Sequence, residues 1–167
     1  MTSVDAFNAE SGEGAVELLR PCNASTTWAT AVVAGRPYPD LATLTAASDG
    51  VLTTLSWPDV EEALAAHPRI GDRPKDAVTT ENRWSQGEQA GVVDADQLVL
   101  TGLADGNAAY EARFGHVYLV CASGRSAAEL LGVLRGRLDN DPDHERDVVR
   151  SELAAITRLR LAKLVTP

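Results

Sequence analysis

Residues 141–165 read DPDHERDVVRSELAAITRLRLAKLV, and this stretch decides the expected architecture of the chain. It begins with Asp141-Pro142, and proline fits the first turn of a helix, where its missing N–H is not needed. Apolar residues then recur at the three- and four-residue spacing of one helix face. The residues on this face are Val149, Leu153, Ile156 and Leu164. The pattern predicts a long C-terminal helix that reaches about Val165.

One charged side chain interrupts the apolar face of this helix. Arg160 lies in the middle of the stripe, whereas Arg158 projects to the opposite side. A buried guanidinium needs an anionic partner, and an internal Asp or Glu would supply one. Alternatively, the Arg160 stem lies along the apolar surface and its head reaches water. A third alternative is a carboxylate from a ligand, which arginine binds bidentately.

The remaining sequence is also of helical type. It is rich in Ala, Leu, Glu and Arg, with Gly, Pro and Asp at the breaks. Residues 72–83 are predicted as a loop and residues 1–12 as a loose terminus. We expect one all-α domain over residues 13–167, folded as a helical bundle. Besides the C-terminal helix, the predicted helices cover residues 13–20, 25–34, 40–55, 56–66, 85–90, 95–113 and 126–138.

One short run departs from the helical pattern. Residues 116–122, HVYLVCA, are mostly apolar and β-prone. A single strand cannot form a sheet by itself, so we expect this run to be an extended, buried segment between helices.

The composition argues against several classes of function. Acidic residues outnumber basic ones, 24 against 15, and no basic tract occurs, which disfavours nucleic-acid binding. No apolar run of about 18 residues and no signal-peptide pattern is present, so we expect a cytoplasmic protein that does not enter a membrane. Cys22 and Cys121 lie far apart, and metal-ligand or glycine-rich nucleotide motifs are absent. The sequence therefore predicts neither a metal nor a cofactor.

His67 is the first candidate for chemistry. It lies on one helical stripe with Val60 and Leu64, and its helix must end there because the residue before Pro68 is pushed out of the α region. A helix C-terminus favours the imidazolium and burial favours the neutral ring, so His67 could carry a proton near neutral pH. The alternative is a histidine that merely caps the helix.

Ser85-Gln86-Gly87-Glu88 matches a capping box, which predicts a helix that starts at Ser85. The free amides and positive dipole end of such a start would gather Ser85, Glu88 and Gln89 where an anionic ligand can bind. The alternative is a helix start with no further role.

Two other groups of residues are interpreted as structural. Trp28, Trp57 and Trp84 are expected to anchor the core. Asn107 and Tyr110 are interpreted as one turn of helix surface or as a local hydrogen-bonded pair.

Taken together, these segments resemble the family of 2-oxo-4-hydroxy-4-carboxy-5-ureidoimidazoline (OHCU) decarboxylases. The similarity runs from about residue 13 to residue 165, and the order and spacing of the segments make it specific. The matching segments are Trp28 with Arg36-Pro37, His67-Pro68-Arg69-Ile70-Gly71, Trp84-Ser85-Gln86-Gly87-Glu88-Gln89-Ala90-Gly91, Asn107 with Tyr110, Phe114-Gly115, Gly124-Arg125-Ser126, Arg137-Leu138 with Asn140, and Ile156 with Leu159-Arg160-Leu161.

The resemblance implies an all-helical homodimer with His67 as the catalytic residue and Glu88 as its carboxylate helper. Arg160 matches the arginine of the family near the C-terminus. The chain departs from the family at His116 and Val117, where an aromatic residue and a proline are frequent. The implied substrate contacts are the side chains of Ser85 and Gln89, the ring of Pro68, and backbone groups of Tyr118, Leu119, Val120, Cys121 and Ala122.

The reaction implied is the cofactor-independent decarboxylation of an anionic ureidoimidazoline to (S)-allantoin during urate degradation. This substrate carries an imine beside the carbon that bears the carboxylate, so it supplies its own electron sink. Two alternatives stay open: an inactive helical binding module of the same fold, and a decarboxylase or hydrolase for a related ureido ring.

Overall fold

The computed structural model describes residues 1–72 and 79–166 of the chain. Within these residues nearly all regular structure is helical, so the predicted all-α class is confirmed. None of the helices described has both the length and the apolar character needed to cross a membrane. The elements are β1 (Thr2–Ser3), α1 (Val4–Ala9), α2 (Gly12–Leu19), α3 (Thr26–Ala34), α4 (Leu41–Thr54), α5 (Trp57–Ala65), α6 (Thr80–Glu88), a 3-10 turn (Ala90–Val92), α7 (Gln97–Phe114), α8 (Ala127–Arg137), α9 (Pro142–Leu164) and β2 (Val165–Thr166).

Most helix boundaries follow local signals in the sequence. The Ser56 hydroxyl accepts the Asp59 N–H at the start of α5, while the Asp59 carboxylate accepts the Ser56 N–H. Ser126 and Glu129 form the same reciprocal pair at the start of α8. The predicted C-terminal helix is confirmed as α9. The predictions for residues 13–20, 25–34, 40–55, 56–66, 95–113 and 126–138 agree with the structure to within two residues at each end.

The described residues divide into two compact units. The first unit comprises the residues of Met1–Ala66 and those from Ala154 onward, and the second comprises those of His67–Leu153. Helix α9 contributes to both units because the boundary falls within it. The expectation of one domain over residues 13–167 stays a prediction.

Helix α3 is the centre of the first unit and packs against α2, α4 and α5. Trp28 of α3 is fully buried, and its indole N–H donates to the hydroxyl of Ser48 on α4 at 3.1 Å. A buried indole N–H needs such a partner, so Trp28 is a core anchor as predicted. Trp57 and Trp84 are only half-buried.

The N-terminus differs from the loose segment predicted for residues 1–12. Phe7 of α1 is fully buried, and β1 pairs in parallel with β2. The Asn8 side-chain amide donates to the Tyr38 carbonyl at 2.8 Å, and its oxygen accepts the Tyr38 N–H at 2.9 Å. The Arg36 guanidinium donates to the Phe7 carbonyl at 2.8 Å. These partners lie far away in sequence, so local composition did not reveal them.

In the second unit, α7 packs against α8. Leu103 of α7 and Leu134 of α8 belong to one buried cluster with Tyr118 and Val120 of the predicted extended segment. Residues 117–122 form neither a helix nor a strand, and most of them are buried. The prediction of a buried, non-helical connection between helices is thus confirmed.

We expect Phe7→Ala to lower the free energy of unfolding by about 3–5 kcal/mol, because a fully buried aromatic ring would be replaced by a cavity. Urea unfolding followed by circular dichroism measures this change. Leu98→Ala is the control, since Leu98 is 81% exposed. Equal unfolding midpoints for the two variants would indicate that residues 1–12 are loose, as the sequence pattern predicted.

Candidate active site

Helix α6 begins earlier than the sequence pattern predicted. Its N-cap is Thr79, whose hydroxyl accepts the Asn82 N–H at 3.2 Å, so residues 80–83 are helical instead of part of the predicted loop. Residues 73–78 of that loop lie outside the described residues. Ser85 lies inside α6, and its match to a capping box is therefore not a helix start. The sequence S-x-x-E is also compatible with a helix interior, where it offers no free amides to an anion.

Three polar side chains lie along one face of α6 at its C-terminal end. Ser85, Glu88 and Gln89 are spaced so that they share one face of the helix. Ser85 is 4% exposed and Glu88 is 9% exposed, whereas Gln86 and Gly87 between them are exposed. The predicted polar group is therefore gathered by helical spacing and burial, not by a helix N-terminus.

A pocket of about 400 Å³ lies beside this face of α6. It brings together Pro68, Ser85 and Gln89, three of the residues predicted to bind a substrate. His67 and Glu88 are not among the described residues that line it, although each is next in sequence to one that does. The described residues that line it are Pro68, Gly71, Asp72, Ser85, Gln86, Gln89, Val92, Val93 and Leu100.

His67 is half-buried and directly follows the end of α5. The C-cap of that helix is Ala66, whose N–H bonds to the Ala63 and Leu64 carbonyls. His67 therefore lies one residue beyond the backbone C-cap of α5, and the choice between a catalytic and a merely structural role for its side chain at this helix end stays a prediction.

The chain after His67 is held in place by side chains of α6 and α7. The Gly71 N–H donates to Gln89 Oε1 at 2.9 Å, and Asn107 Nδ2 donates to the Ile70 carbonyl at 2.9 Å. The Arg69 guanidinium binds Glu111 with two bonds of 2.6 and 2.9 Å. We call the residues Arg69, Ile70 and Gly71 the post-histidine turn.

Asn107 was interpreted from sequence as helix surface or as the local partner of Tyr110, and both interpretations are wrong. It is 3% exposed and reaches across to Ile70. Asn107 and Glu111 are four residues apart on α7, so one helix face serves both bonds to the post-histidine turn. That spacing is visible in the sequence, but the target of the bonds is not.

Two polar groups in the segment 118–122 are bound to side chains of the second unit. The Leu119 carbonyl accepts from Arg137 Nη1 at 2.6 Å, and the Cys121 N–H donates to Glu152 Oε2 at 2.7 Å. Burial raises the pKa of the Cys121 thiol, and the carboxylates of Glu152 and Glu88 raise it further. Glu88 therefore lies within electrostatic reach of this segment. Contact of the segment with a substrate stays a prediction.

At the positions where the chain departs from the family pattern, His116 keeps an aromatic contact. Its ring lies edge-on to that of Tyr110, with 5.4 Å between the centroids. Its Nδ1 lies 3.1 Å from the carbonyl of Val117. The imidazole of His116 thus packs against an aromatic ring at this position.

Arg160 belongs to the first compact unit, whereas His67 and Glu88 belong to the second. Arg160 is 3% exposed and donates to the Pro21 carbonyl at 3.1 Å. Arg158 is exposed and binds both carboxylate oxygens of Asp49 at 2.9 Å. The helical-face argument for these two arginines is confirmed. The convergence of Arg160 with His67 and Glu88 stays a prediction.

Among residues 1–72 and 79–166, no three His, Cys, Asp or Glu side chains are grouped closely enough to hold a metal ion.

The fold and the site together define a class of protein. This is an all-α protein whose second unit contains a pocket of small-molecule size, lined by apolar side chains and a few polar groups. The family model for OHCU decarboxylase matches residues 8–162. The chain belongs to the OHCU decarboxylase family, whose members are decarboxylating lyases.

Two curated relatives are 32% identical to the chain. One is the uric acid degradation bifunctional protein TTL of Arabidopsis thaliana, over 145 residues, which are 86% of this chain and 45% of that protein. The chain thus spans less than half the length of the Arabidopsis protein. The other is the 2-oxo-4-hydroxy-4-carboxy-5-ureidoimidazoline decarboxylase of Amia calva, over 139 residues, which are 82% of this chain and 79% of that protein.

Two solved structures are similar to the fold. The crystal structure of OHCU decarboxylase in the presence of (S)-allantoin matches with a TM-score of 0.76 and 27% identity, over 93% of this chain and 98% of that chain. The crystal structure of (S)-allantoin synthase matches with a TM-score of 0.73 and 18% identity, over 98% of this chain and 54% of that chain. The second likeness supports the fold alone.

The post-histidine turn depends on glycine at position 71, where φ is +94°. We expect Gly71→Ala to destabilise the protein by about 1–2 kcal/mol, because a Cβ is strained in this region of backbone space. Gly132→Ala is the matched control, since Gly132 lies in α8 with open space around it and alanine favours helix there. Thermal unfolding should shift down for the first variant and up for the second. Shifts of the same sign would contradict the role of Gly71.

Proposed function

We propose that this protein decarboxylates 2-oxo-4-hydroxy-4-carboxy-5-ureidoimidazoline to (S)-allantoin, as a step in urate degradation and without a cofactor. The observation that carries the proposal is the pocket in which Pro68, Ser85 and Gln89 meet, in a chain of this family. A pocket of about 400 Å³ has the size expected for a ligand with one small ring and a ureido arm.

The polar groups of the pocket suit this substrate. Gln89 Oε1 already accepts the Gly71 N–H, which orients the side chain so that its amide Nε2 is the group offered to a ligand. An amide N–H donates to carbonyl and carboxylate oxygens, and the Ser85 hydroxyl can donate or accept. Val92 and Leu100 supply an apolar wall, against which such hydrogen bonds are stronger than in water.

The chemistry needs a place for the electron pair that remains when carbon dioxide leaves. The bond between the ring carbon and the carboxylate breaks, the pair moves into the adjacent imine, and the ring nitrogen takes up a proton to give an enol. We propose that His67, assisted by Glu88, stabilises this charge and then takes the proton from the enol hydroxyl, which becomes the ring carbonyl, while the carbon that bears the ureido group is protonated on one face to set the S configuration. Arg160 would bind the substrate carboxylate.

Freshly generated urate-oxidation product, supplied to the protein and followed by circular dichroism, tests the substrate and the stereochemistry together. We expect (S)-allantoin to form faster than in the protein-free reaction. Binding of (S)-allantoin without turnover would instead support the inactive binding module. Turnover of another ureido ring, with none of this substrate, would support the second alternative.

His67→Gln and Glu88→Gln test the acid–base assignment. General acid–base catalysis contributes about 10²- to 10⁴-fold, so we expect kcat to fall by that order in His67→Gln and by less in Glu88→Gln. His144→Gln is the control, since His144 is exposed at the start of α9. Wild-type kcat in His67→Gln would refute the assignment of this residue.

Arg160→Ala tests electrostatic recognition of the substrate. Losing a charge-assisted bond of about 1.5–3 kcal/mol should raise KM about 10- to 100-fold, while Arg158→Ala should leave it unchanged. Because Arg160 is buried, Arg160→Gln and a thermal melt accompany it to separate binding from folding. Greater sensitivity at Arg158 would contradict the proposed role of Arg160.

We also propose that the protein is a cytoplasmic homodimer. The family resemblance supports the dimer, and the sequence pattern supports the location. Light scattering of the purified protein tests the homodimer, since a monomer mass at all concentrations would contradict it.

A fluorescent fusion protein in its host cell tests the cytoplasmic location, and enrichment in a membrane or organelle fraction would contradict it.

A further inference from the structure

The second unit contains an ion pair that is almost wholly withdrawn from water. The Arg137 and Glu145 side chains are 7% and 0% exposed. Arg137 Nε donates to Glu145 Oε1 at 2.7 Å, and Asn140 Nδ2 donates to Glu145 Oε2 at 2.8 Å. Tyr110 donates its hydroxyl to the same carboxylate. Burial alone raises the pKa of Glu145, but these bonds outweigh it and hold the pKa below its ordinary value.

The Arg137 guanidinium is also enclosed by two aromatic rings. It lies 4.9 Å from the ring centroid of Tyr118 and 5.8 Å from that of Tyr110. Contacts of this kind attract a cation to the ring face. The two rings and the carboxylate of Glu145 together hold the guanidinium in one position.

One N–H of this guanidinium is not used in the ion pair and instead binds the segment 118–122. Arg137 Nη1 donates to the Leu119 carbonyl at 2.6 Å, in the middle of the segment 118–122. That segment forms no strand and has no ladder of backbone bonds to hold it. Its other described anchors are Glu152, which accepts the Cys121 N–H, and the Tyr118 hydroxyl, which donates to the Leu130 carbonyl at 3.0 Å. The position of the segment therefore depends on side chains.

We propose that Arg137, held by Glu145, is a positioning residue that fixes the segment 118–122 in the geometry needed to bind substrate. The proposal rests on the proposed function, and the segment's contact with substrate is the one that the family resemblance implies. Arg137 touches no reacting atom in this scheme. It acts through Leu119, and a shift of about 1 Å in such a segment is enough to lower turnover about 10²-fold.

Arg137→Lys is the first test. Lysine is a point charge without the planar fork, so it cannot hold Glu145 and the Leu119 carbonyl in the fixed geometry that the guanidinium imposes. We expect kcat/KM to fall by about 10²-fold in a protein that still folds. Arg135→Lys is the matched control, because Arg135 lies two residues earlier on α8 and is exposed. Wild-type kcat/KM in Arg137→Lys would overturn the proposal.

The two cysteines report on the segment without any substrate. Cys121 is half-buried within it, whereas Cys22 is fully buried in the first unit. Iodoacetamide labelling, resolved by peptide mass spectrometry, should speed up several-fold at Cys121 and remain unchanged at Cys22 in Arg137→Lys. Faster labelling at both would indicate general unfolding and overturn the positioning role, as would unchanged labelling at both.

A double variant, Arg137→Met with Glu145→Leu, removes the anchor of the segment without leaving an unpaired buried charge. Replacing a buried ion pair by apolar side chains of similar size is often neutral for stability. Because the Tyr110 hydroxyl, the Asn140 amide and the Leu119 carbonyl lose their partners, we expect it to melt below the wild type but to fold, with the same loss of kcat/KM and the same exposure of Cys121. Full activity in the double variant would overturn the proposal. Absence of turnover in the wild type would refute the proposed function, while Cys121 labelling still decides whether Arg137 fixes the segment.

Discussion

The buried pair between Arg137 and Glu145 constrains most of the second unit. A charge withdrawn from water must be matched by an opposite charge and by enough hydrogen bonds, or the native state is destabilised by several kcal/mol. The bonds that meet this condition come from α7 through Tyr110, from the α8–α9 connection through Asn140, and from the segment 118–122 through Leu119. Satisfying one buried carboxylate on α9 and one guanidinium on α8 thus brings five parts of the chain together.

The same principle recurs at the post-histidine turn. Gly71 and Ile70 have backbone groups that no strand or helix pairs, and side chains of α6 and α7 satisfy them instead. The residues proposed to meet the substrate are therefore carried largely by irregular backbone held from outside by rigid helices. This arrangement lets the backbone take the shape that a ligand needs, while the helices supply the rigidity that a binding site requires.

How far the sequence predicts this molecule depends on the distance over which each signal acts. The starts of α5 and α8 are determined by residues three apart, and both were predictable. Helix α6 was misplaced because Ser85 and Glu88 have the same spacing inside a helix as at its start. The buried N-terminus depends on a bond from Asn8 to Tyr38, across 30 residues, which no local pattern encodes.

Prediction of the site from sequence has the same limit, and the net charge of the protein shows why the local geometry of the site matters. The faces of Arg158 and Arg160 follow from helical period alone, but the bonds from Asn107 to Ile70 and from Glu152 to Cys121 do not. With a net charge of -9, the protein does not attract an anionic ligand over long range. Such charges are screened beyond about 8 Å at physiological ionic strength, so the groups within that distance decide whether an anion binds. Recognition of an anion by this chain therefore requires donors in fixed positions, which is why residues that hold backbone in place matter as much as those that would touch the substrate.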